Sequence, residues 1–336
     1  MLQISTVDYH TAGEPFRIVT DGAPELGGRT VADRRVSARA LEADRVRRLL
    51  VQEPRGHADM YGCFITPPDD AGAAFGAVFF HKDGYSTACG HGTIALGTWA
   101  VESGLVSAPR DGEVELGIDV PSGRVVAVVA VADGRVRSVR FRNVPVFVHA
   151  RDLTVDTAAG PVSADIAYGG AFYASVPAER IGARVTPMDL PRLIVAGREI
   201  KAALDARGAA VHPADLRLSG IYGVTFYEER PAPEENWLYQ RSCTIFADGE
   251  VDRSPCGSGT SARLALLADR DRLPGHTALL HESIVGTRFV ARVLGSTTVA
   301  DRAAYLTEVE GEAFRTGEHR FILDPADSLG EGFTLR

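Results

Sequence analysis

The sequence predicts an α/β (α+β) protein built from two pseudo-symmetric domains, and an internal repeat is the main reason. The segments that begin at Cys89 and Cys256 share the pattern C-G-x-G-T-x-A and lie 167 positions apart, close to half of the 336-residue chain. In each half the pattern follows strand-like stretches and opens a helical segment. Two similar domains are therefore expected, one at 1–145 that residues 320–336 complete, and one at 146–319.

The first half alternates short apolar stretches with turn residues. Helical spacing predicts a charged helix over 36–51, whose buried face would hold Leu41, Val46, Leu49 and Leu50. A second helix is expected directly after Cys89. Alternating apolar and polar positions predict strands at 3–9, 16–20, 61–66 and 75–81, and a run of antiparallel strands over 113–148.

The second half repeats this alternation. A long helix is expected from Pro187 to about Arg207, and another opens at Cys256. Strands are predicted at 162–168, 171–176, 221–227 and 240–246, and again between Ser283 and Leu335.

Composition and charge argue against several classes of protein. A hydrophobic content of 45% and a charged content of 24% are ordinary for a soluble globular chain. The net charge of −8 argues against a nucleic-acid partner, and the pairs Arg34-Arg35 and Arg47-Arg48 are interpreted as solvated helix faces. Since the sequence shows no leader and no apolar run near 18 residues, a cytoplasmic protein without a membrane partner is expected.

The cysteines and histidines favour thiol chemistry over a metal site. Four cysteines without a CxxC pair indicate free thiols rather than a disulfide scaffold or a structural zinc site. Cys63 and Cys243 lie in apolar strands and are expected to be buried and inert. His281-Glu282 lacks the second histidine of a metalloprotease helix. Two further groups are interpreted as support for turns rather than as a metal or substrate pocket: Asp8/His10/Glu14 and His57/Asp59.

Two common cofactors are disfavoured. Pyridoxal phosphate needs a Schiff-base lysine, and the chain has only Lys82 and Lys201, neither of them near a recognisable phosphate loop. Both repeats also satisfy G-x-G-x-x-A, the dinucleotide fingerprint. That motif should follow an apolar parallel strand. Here the residues before each copy are polar and a cysteine directly precedes it. The strands before each copy are also expected to be antiparallel.

A cysteine at the start of a helix has a defined chemistry. The helix N-terminus carries unpaired N–H groups and partial positive charge, which favour a thiolate and can hold a carboxylate. If Cys89 and Cys256 face each other across a cleft between the domains, a thiolate on one side could remove an α-proton from an amino acid. A thiol on the other side could then deliver a proton to the opposite face, with no metal or organic cofactor.

At these residues the chain resembles the proline racemase superfamily, which includes proline racemase, 4-hydroxyproline 2-epimerase and trans-3-hydroxy-L-proline dehydratase. The resemblance implies the fold shared with diaminopimelate epimerase, in which each of two domains has a β-barrel-like sheet around a central helix. It extends over nearly the whole chain, through DYHTAGEPFRIV (8–19), EPRGHADMYG (53–62), GYSTACGHGTIALG (84–97), DIAYGGAFYA (165–174), VDRSPCGSGTSARLA (251–265) and ESIVGTRF (282–289).

The resemblance also implies roles for individual residues. Cys89 and Cys256 match the two acid/base residues of the family, and Asp252 matches a residue that contacts the substrate nitrogen. Substrate binding would involve backbone and side-chain groups of Gly90, His91, Asp252, Gly257, Ser258 and Tyr222.

Two reactions remain open on these residues. A cysteine at position 256 favours proline racemase or hydroxyproline 2-epimerase activity, because dehydratases of the family commonly carry threonine there. GYST before Cys89, DIAYGGAFYA and IYG (221–223) are more similar to the trans-3-hydroxy-L-proline dehydratase branch. A non-catalytic module that binds an imino acid is the third alternative. The expected partner is a small imino acid, proline or a hydroxyproline, and a homodimer is left open.

Overall fold

The computed structural model describes residues 2–158, 160–274 and 277–335. Its strands, numbered in chain order, are β1 (Leu2–Thr11), β2 (Glu14–Asp21), β3 (Tyr61–Thr66), β4 (Phe75–His81), β5 (Gly84–Tyr85), β6 (Gly112–Val120), β7 (Gly123–Ala132), β8 (Arg135–Arg142), β9 (Phe147–Thr157), β10 (Gly160–Tyr168), β11 (Phe172–Pro177), β12 (Ile221–Arg230), β13 (Trp237–Phe246), β14 (Glu250–Asp252), β15 (Ala278–Glu282), β16 (Arg288–Val299), β17 (Arg302–Gly311) and β18 (Ala313–Leu323).

Helices connect these strands in both halves of the chain. The α-helices are α1 (Val31–Ser37), α2 (Leu41–Val51), α3 (Gly90–Glu102), α4 (Leu190–Ala206) and α5 (Gly257–Asp269). Two short 3₁₀ turns lie at Ala178–Ile181 and Leu216–Leu218. Within the described residues, none of the helices combines the length and apolar character that crossing a membrane requires.

The chain divides into two compact units, Met1–Val139 with Glu312–Arg336, and Arg140–Gly311. The boundaries expected from sequence, at 145 and 320, lie a short way after these. The C-terminal segment joins the first unit because β18 begins at Ala313 and pairs antiparallel with β1 from Thr11↔Ala313 to Leu2↔Leu323.

The first unit is a mixed sheet around α3. Its strands follow the order β18–β1–β2–β3–β4–β6–β7, and the successive pairings are antiparallel, antiparallel, parallel, antiparallel, parallel and antiparallel. The short β5 pairs antiparallel with β4 and leads into α3. Since α3 packs on β1, β2, β7 and β18, it is the central helix of this unit.

The second unit repeats this arrangement around α5. Its order β9–β10–β11–β12–β13–β15–β16 has the same six pairing senses, and β17 adds one further antiparallel strand. The short β14 pairs antiparallel with β13 and leads into α5. The prediction of two pseudo-symmetric α/β units, each with a helix inside its sheet, is therefore confirmed.

The sequence of both central helices explains their burial. In α3 the side chains of Ile94, Ala95, Leu96 and Ala100 are fully buried, and α5 buries every residue from Gly257 to Leu267. The apolar face of α3 accounts for its position inside the core, whereas α5 also buries polar side chains, among them Ser258, Thr260 and Arg263. Small residues permit the close approach: a β-carbon at Gly97 would lie 3.0 Å from that of Ala127 on β7.

The helix predicted over 36–51 is wrong in its extent. The structure has two helices there, because Thr30 and Asp33 form a capping box that starts α1 earlier, and Ala40 takes an extended conformation that separates α1 from α2. Leu50 on the predicted apolar face is buried, whereas Leu41 is 74% exposed because it is the first residue of α2.

The interpretation of the arginine pairs as solvated helix faces is also wrong for Arg34 and Arg47, which are buried. The Arg47 guanidinium donates to the carbonyl oxygen of His81 at 2.8 Å, and Arg34 donates to that of Pro67 at 2.5 Å. A fixed fork of N–H donors can satisfy carbonyl groups inside the first unit, which is why these charges tolerate burial.

Candidate active site

Cys89 is the N-cap residue of α3. Its backbone is extended (φ −153°, ψ 104°), and its Sγ accepts a hydrogen bond from the N–H of Gly92 at 3.2 Å. Thr93 donates to the Cys89 carbonyl through both its N–H (3.0 Å) and its hydroxyl (2.8 Å). The sulfur therefore accepts one of the unpaired N–H groups at the positive end of the helix, an arrangement that favours thiolate over thiol.

His91 places its ring beside the same sulfur. The distances from Cys89 Sγ to the ring nitrogens Nε2 and Nδ1 are 3.4 and 3.6 Å. The ring is held edge-to-face by Tyr61 and Phe16, with centroid distances of 5.0 and 5.7 Å. The thiol and imidazole of this unit are thus in contact and enclosed by aromatic rings.

The groups that surround His91 include residues just before Cys89 in the chain. The Tyr61 hydroxyl hydrogen-bonds to that of Ser86, and Ser86 in turn contacts the carbonyl of Ala88 at 3.2 Å. The His81 ring lies tilted against that of Tyr61 with a centroid distance of 5.6 Å, and burial lowers the pKa of His81 to about 3, so its imidazole is neutral at physiological pH. The approach to Cys89 is therefore built from buried polar groups that bond to one another.

Cys256 holds the matching position at the start of α5, but its backbone differs. Its φ is +65° and its ψ is +95°, a left-handed conformation that costs free energy for any residue with a β-carbon. Its Sγ lies 3.9 Å from the Tyr173 hydroxyl and directly against Gly259, where a β-carbon would approach the sulfur to 2.9 Å. The two repeats thus present their sulfur atoms differently.

The segment before Cys256 is organised by Asp252. Its Oδ1 accepts hydrogen bonds from the N–H (2.8 Å) and the hydroxyl (2.7 Å) of Ser254, and the Ser254 Oγ accepts from the N–H of Cys256 at 3.0 Å. The carboxylate therefore shapes the turn that delivers Cys256, in addition to the substrate contact that the resemblance implies.

The electrostatics of Cys256 favour the protonated thiol. Burial and then the nearby negative charge of Asp252 raise its pKa well above the ordinary cysteine value, while the Gly259 N–H and the Tyr173 hydroxyl act in the opposite direction. Cys256 is therefore a protonated thiol at neutral pH.

Ser258 and Tyr222 lie around the same helix start. The Ser258 hydroxyl hydrogen-bonds to that of Tyr173 at 2.7 Å. Tyr222 contacts Tyr173 edge-to-face at 5.8 Å and packs on the buried cluster that contains Cys256. Tyr173 is therefore the side chain that connects the two.

The other predicted roles can be compared directly. Cys63 and Cys243 are fully buried, as expected, and burial raises the pKa of Cys63 well above its ordinary value. The His10 ring accepts from the N–H of Gly13 at 3.2 Å, and the His57 ring accepts from that of Asp59 at 3.3 Å, so both support turns as predicted. Asp8 pairs with the buried Arg17 at 2.7 Å.

The structure thus gathers the predicted residues into two sets. Cys89, Gly90 and His91 form the start of α3, and a second set surrounds the start of α5: Tyr222, Asp252, Cys256, Gly257 and Ser258. Sequence reasoning missed Tyr61, Ser86, Tyr173, Thr260 and His281. Tyr61 and Tyr173 lie inside quoted motifs, but no spacing rule connects them to a cysteine far along the chain.

Comparisons with known proteins complete this picture. A family model described as Proline racemase matches residues 6–334. A trans-3-hydroxy-L-proline dehydratase of Bacillus cereus is 43% identical over 332 residues, 98% of each chain. A 3-hydroxyproline 2-epimerase of Burkholderia multivorans is 46% identical over 334 residues, 99% of this chain and 98% of the relative. The crystal structure of a hydroxyproline epimerase from Agrobacterium vitis, with trans-4-hydroxy-L-proline bound, superimposes with a TM-score of 0.93 at 34% identity, covering 99% of this chain and 96% of that one.

Proposed function

The chain belongs to the proline racemase family, and we propose that it transfers a proton at the α-carbon of a hydroxyproline, with Cys89 and Cys256 as the acid/base pair. The observation that carries this proposal is that a buried cysteine is the N-cap residue of each central helix. Both thiols would serve one substrate from opposite faces, as the repeat in the sequence suggests.

From the different surroundings of the two cysteines we infer which is the base and which is the acid before substrate reacts. Cys89, which accepts the Gly92 N–H, is the base that removes the α-proton and becomes a thiol. The electron pair left on the α-carbon spreads into the carboxylate as an enolate-like charge. Cys256, protonated at neutral pH, then gives its proton to the opposite face of that carbon and becomes a thiolate. Proton count and charge balance, and the configuration inverts.

Binding would use the groups that surround both cysteines. The backbone N–H groups at Gly90, His91, Gly257 and Ser258 lie in the first turn of the two helices, where the positive end of the helix dipole can stabilise the substrate carboxylate. Asp252 would contact the ring nitrogen, and Tyr222 would lie against the ring. This chemistry needs no metal or organic cofactor.

The relatives favour 3-hydroxyproline as the substrate, since both curated relatives described above carry that compound in their names. Our first candidate reaction is 2-epimerisation of trans-3-hydroxy-L-proline, because a protonated Cys256 can return a proton to the α-carbon. The second candidate is dehydration, which the name of the Bacillus cereus relative favours. There the α-proton is removed in the same way, a proton is given to the departing 3-hydroxyl, and water and a pyrroline-2-carboxylate are formed.

Incubation in deuterium oxide separates these reactions. L-Proline, trans-4-hydroxy-L-proline and trans-3-hydroxy-L-proline would each be followed by proton NMR and chiral chromatography. Deuterium at the α-carbon of an inverted product supports the epimerase, and a pyrroline formed only from the 3-hydroxy substrate supports the dehydratase. Binding of a hydroxyproline without exchange or water loss would instead support the non-catalytic module.

Substitution of the cysteines tests the assigned pair. Cys89→Ser and Cys256→Ser are each expected to lower turnover by about 10²–10⁴-fold, the usual contribution of a positioned proton-transfer group. Cys63→Ser, at the fully buried strand cysteine, is the matched control and should retain turnover. Turnover that survives in both of the first two variants would rule out the paired-thiol mechanism.

We also propose a cytoplasmic location. All four cysteines lie in the described part of the chain, and none forms a disulfide. The proposed acid/base pair requires reduced thiols, which the cytoplasm maintains.

A further inference from the structure

The left-handed backbone of Cys256 needs support that Cys89 does not need. A non-glycine residue at φ +65° persists only where its surroundings over-determine it. Cys89, at the same place in the other repeat, is an ordinary extended N-cap with φ −153°. Whatever holds Cys256 therefore lies among its own neighbours in the second unit.

The hydroxyl of Thr260 lies directly behind Cys256. Thr260 is fully buried, and its N–H donates to the Cys256 carbonyl at 2.6 Å. Its Oγ1 contacts the carbonyl of Pro255 at 3.1 Å, and the same oxygen lies 2.7 Å from Nδ1 of His281. Thr260 thus holds the peptide groups on both sides of the Cys256 α-carbon.

The hydrogen-bond directions follow from the donors present. A threonine hydroxyl has one proton and a carbonyl oxygen can only accept, so the bond to Pro255 uses that proton. His281 must then donate from Nδ1 to the Thr260 oxygen, which leaves Nε2 unprotonated. Among the residues that the structure describes, Nε2 has no hydrogen-bond partner, and a buried unpaired acceptor costs less than a buried unpaired N–H. Burial and the nearby Arg263 lower the pKa of His281 to about 3, so the ring remains neutral.

The corresponding threonine in the first unit makes a different bond. Thr93 occupies the same place in the repeat as Thr260, and its hydroxyl donates to the carbonyl of Cys89 itself at 2.8 Å. In the second unit the hydroxyl reaches one residue further back, to Pro255. This shift of one carbonyl accompanies the change of φ from extended to left-handed between the two cysteines.

We propose that His281 and Thr260 are positioning residues for the thiol of Cys256, and that the donor at Nδ1 of His281 holds the Thr260 hydroxyl on Pro255 and thereby keeps Cys256 in its left-handed conformation. This inference rests on the proposed function, because it concerns the face of the substrate that Cys256 serves. Neither residue needs to touch the substrate.

Deuterium exchange from the two C2 epimers of the substrate, trans-3-hydroxy-L-proline and cis-3-hydroxy-D-proline, gives a face-specific test. The deuterium is measured in the recovered, uninverted isomer, whose exchange uses one thiol alone. Thr260→Val is expected to lower this exchange by about 10²-fold for the isomer that Cys256 deprotonates, the effect of misplacing a catalytic group by about 1 Å. The same exchange in the isomer that Cys89 deprotonates should change far less. General destabilisation would instead lower both rates together.

Conservative variants and a matched control complete the design. Thr260→Ser keeps the hydroxyl, and His281→Asn keeps a donor near the place of Nδ1, so both should recover most of the exchange that Thr260→Val and His281→Phe lose. Thr98→Val removes a buried helical hydroxyl that bonds to the Ile94 carbonyl at 3.2 Å, away from both cysteines, and should alter neither isomer. Thermal unfolding of each variant checks the fold.

Nitrogen-15 NMR of histidine-labelled wild-type protein tests the hydrogen bond without a variant. His281 should show a protonated Nδ1 and an unprotonated Nε2, unchanged between pH 5 and 8. The opposite tautomer would overturn the inference, as would equal loss of exchange from both isomers in Thr260→Val, or no loss at all. A wild-type protein that exchanges neither isomer would refute the proposed function itself, and the inference with it.

Discussion

At the scale of single residues, the same sequence pattern yields two different thiols. Both cysteines precede G-x-G-T, yet Cys89 accepts a backbone N–H in an extended conformation, whereas Cys256 sits in a left-handed one beside Asp252 and Tyr173. Proton transfer between two faces needs one base and one acid at the same moment. In the proposed mechanism, the different environments of Cys89 and Cys256 would supply one base and one acid within a symmetric pair.

Gly92 shows how tightly the Cys89 thiol is held. A β-carbon there would lie 2.4 Å from the Phe16 ring and 2.7 Å from Cys89 Sγ, so one of them must move. Phe16 is fully buried and cannot shift cheaply. Gly92→Ala is therefore expected to lower kcat by about 10²-fold through displacement of the sulfur, although alanine is favoured over glycine in a helix by about 1 kcal/mol.

Steady-state kinetics on the substrate identified by deuterium exchange would measure this effect. Gly27→Ala is the matched control, because a β-carbon at Gly27 would meet nothing within 4 Å. Unchanged kcat in Gly92→Ala would show that the space around the sulfur is not needed for catalysis.

At the scale of elements, each central helix is built for burial rather than for intrinsic helix propensity. Glycines at positions 90, 92 and 97 weaken α3 as an isolated helix. They allow close approach to the surrounding strands, so the packing of apolar side chains stabilises the helix where propensity does not. The helix of each unit therefore depends on its sheet for stability, and the same packing holds the start of the helix in place.

The sequence predicts strands near the C-terminus, but only the tertiary structure gives the bounds of β18 and its partner β1. The strand β18 pairs with the whole length of β1, and its last residue, Leu323, belongs to the same buried cluster as Ile4. A chain that ends at Gly311 is expected to be mostly insoluble, because β1 would become an unpaired, partly apolar edge.

Soluble yield and near-ultraviolet circular dichroism would measure this outcome. A chain that ends at Leu323 retains β18 but loses the β-bridge between Glu53 and Phe333 and the 2.8 Å ion pair between Arg48 and Glu331, so it should remain folded with lower stability. A soluble and fully folded chain without β18 would contradict the assigned role of this strand.

At the scale of the whole molecule, the two units have the same strand order and the same parallel or antiparallel pairings. Both units repeat the same six pairings, and a short antiparallel strand leads into the central helix in each. Each unit also buries a histidine whose pKa is strongly lowered. Burial lowers the pKa of His81 in the first unit and of His281 in the second to about 3.

These histidines predict loss of stability in acid. In the unfolded chain each takes up a proton as the pH falls through about 6.5, whereas the folded protein does not until about pH 3, so the unfolded state binds more protons. Their contribution is fully present above pH 6.5. Below it, the free energy of unfolding should fall by about 1.4 kcal/mol per pH unit for each histidine.

Urea denaturation between pH 7 and 4.5 would measure the slope. His281→Asn removes one of these titrating histidines while retaining a hydrogen-bond donor, so its stability should fall less steeply with acid than that of the wild type. Equal slopes for the two proteins would show that His281 is already protonated in the folded state.

The sequence by itself determined the features that local chemistry encodes. The repeat identified two similar units, both helix starts and both cysteines, because each copy is a short local motif. Alternation placed β3 and β4 at their observed bounds, because it depends on neighbouring residues alone. Only the tertiary structure decided the left-handed backbone of Cys256, the burial of Arg34 and Arg47, the pairing of β18 with β1, and the contact of His281 with Thr260. Each of these depends on groups far apart in the chain, which come together only when the sheets close around their helices.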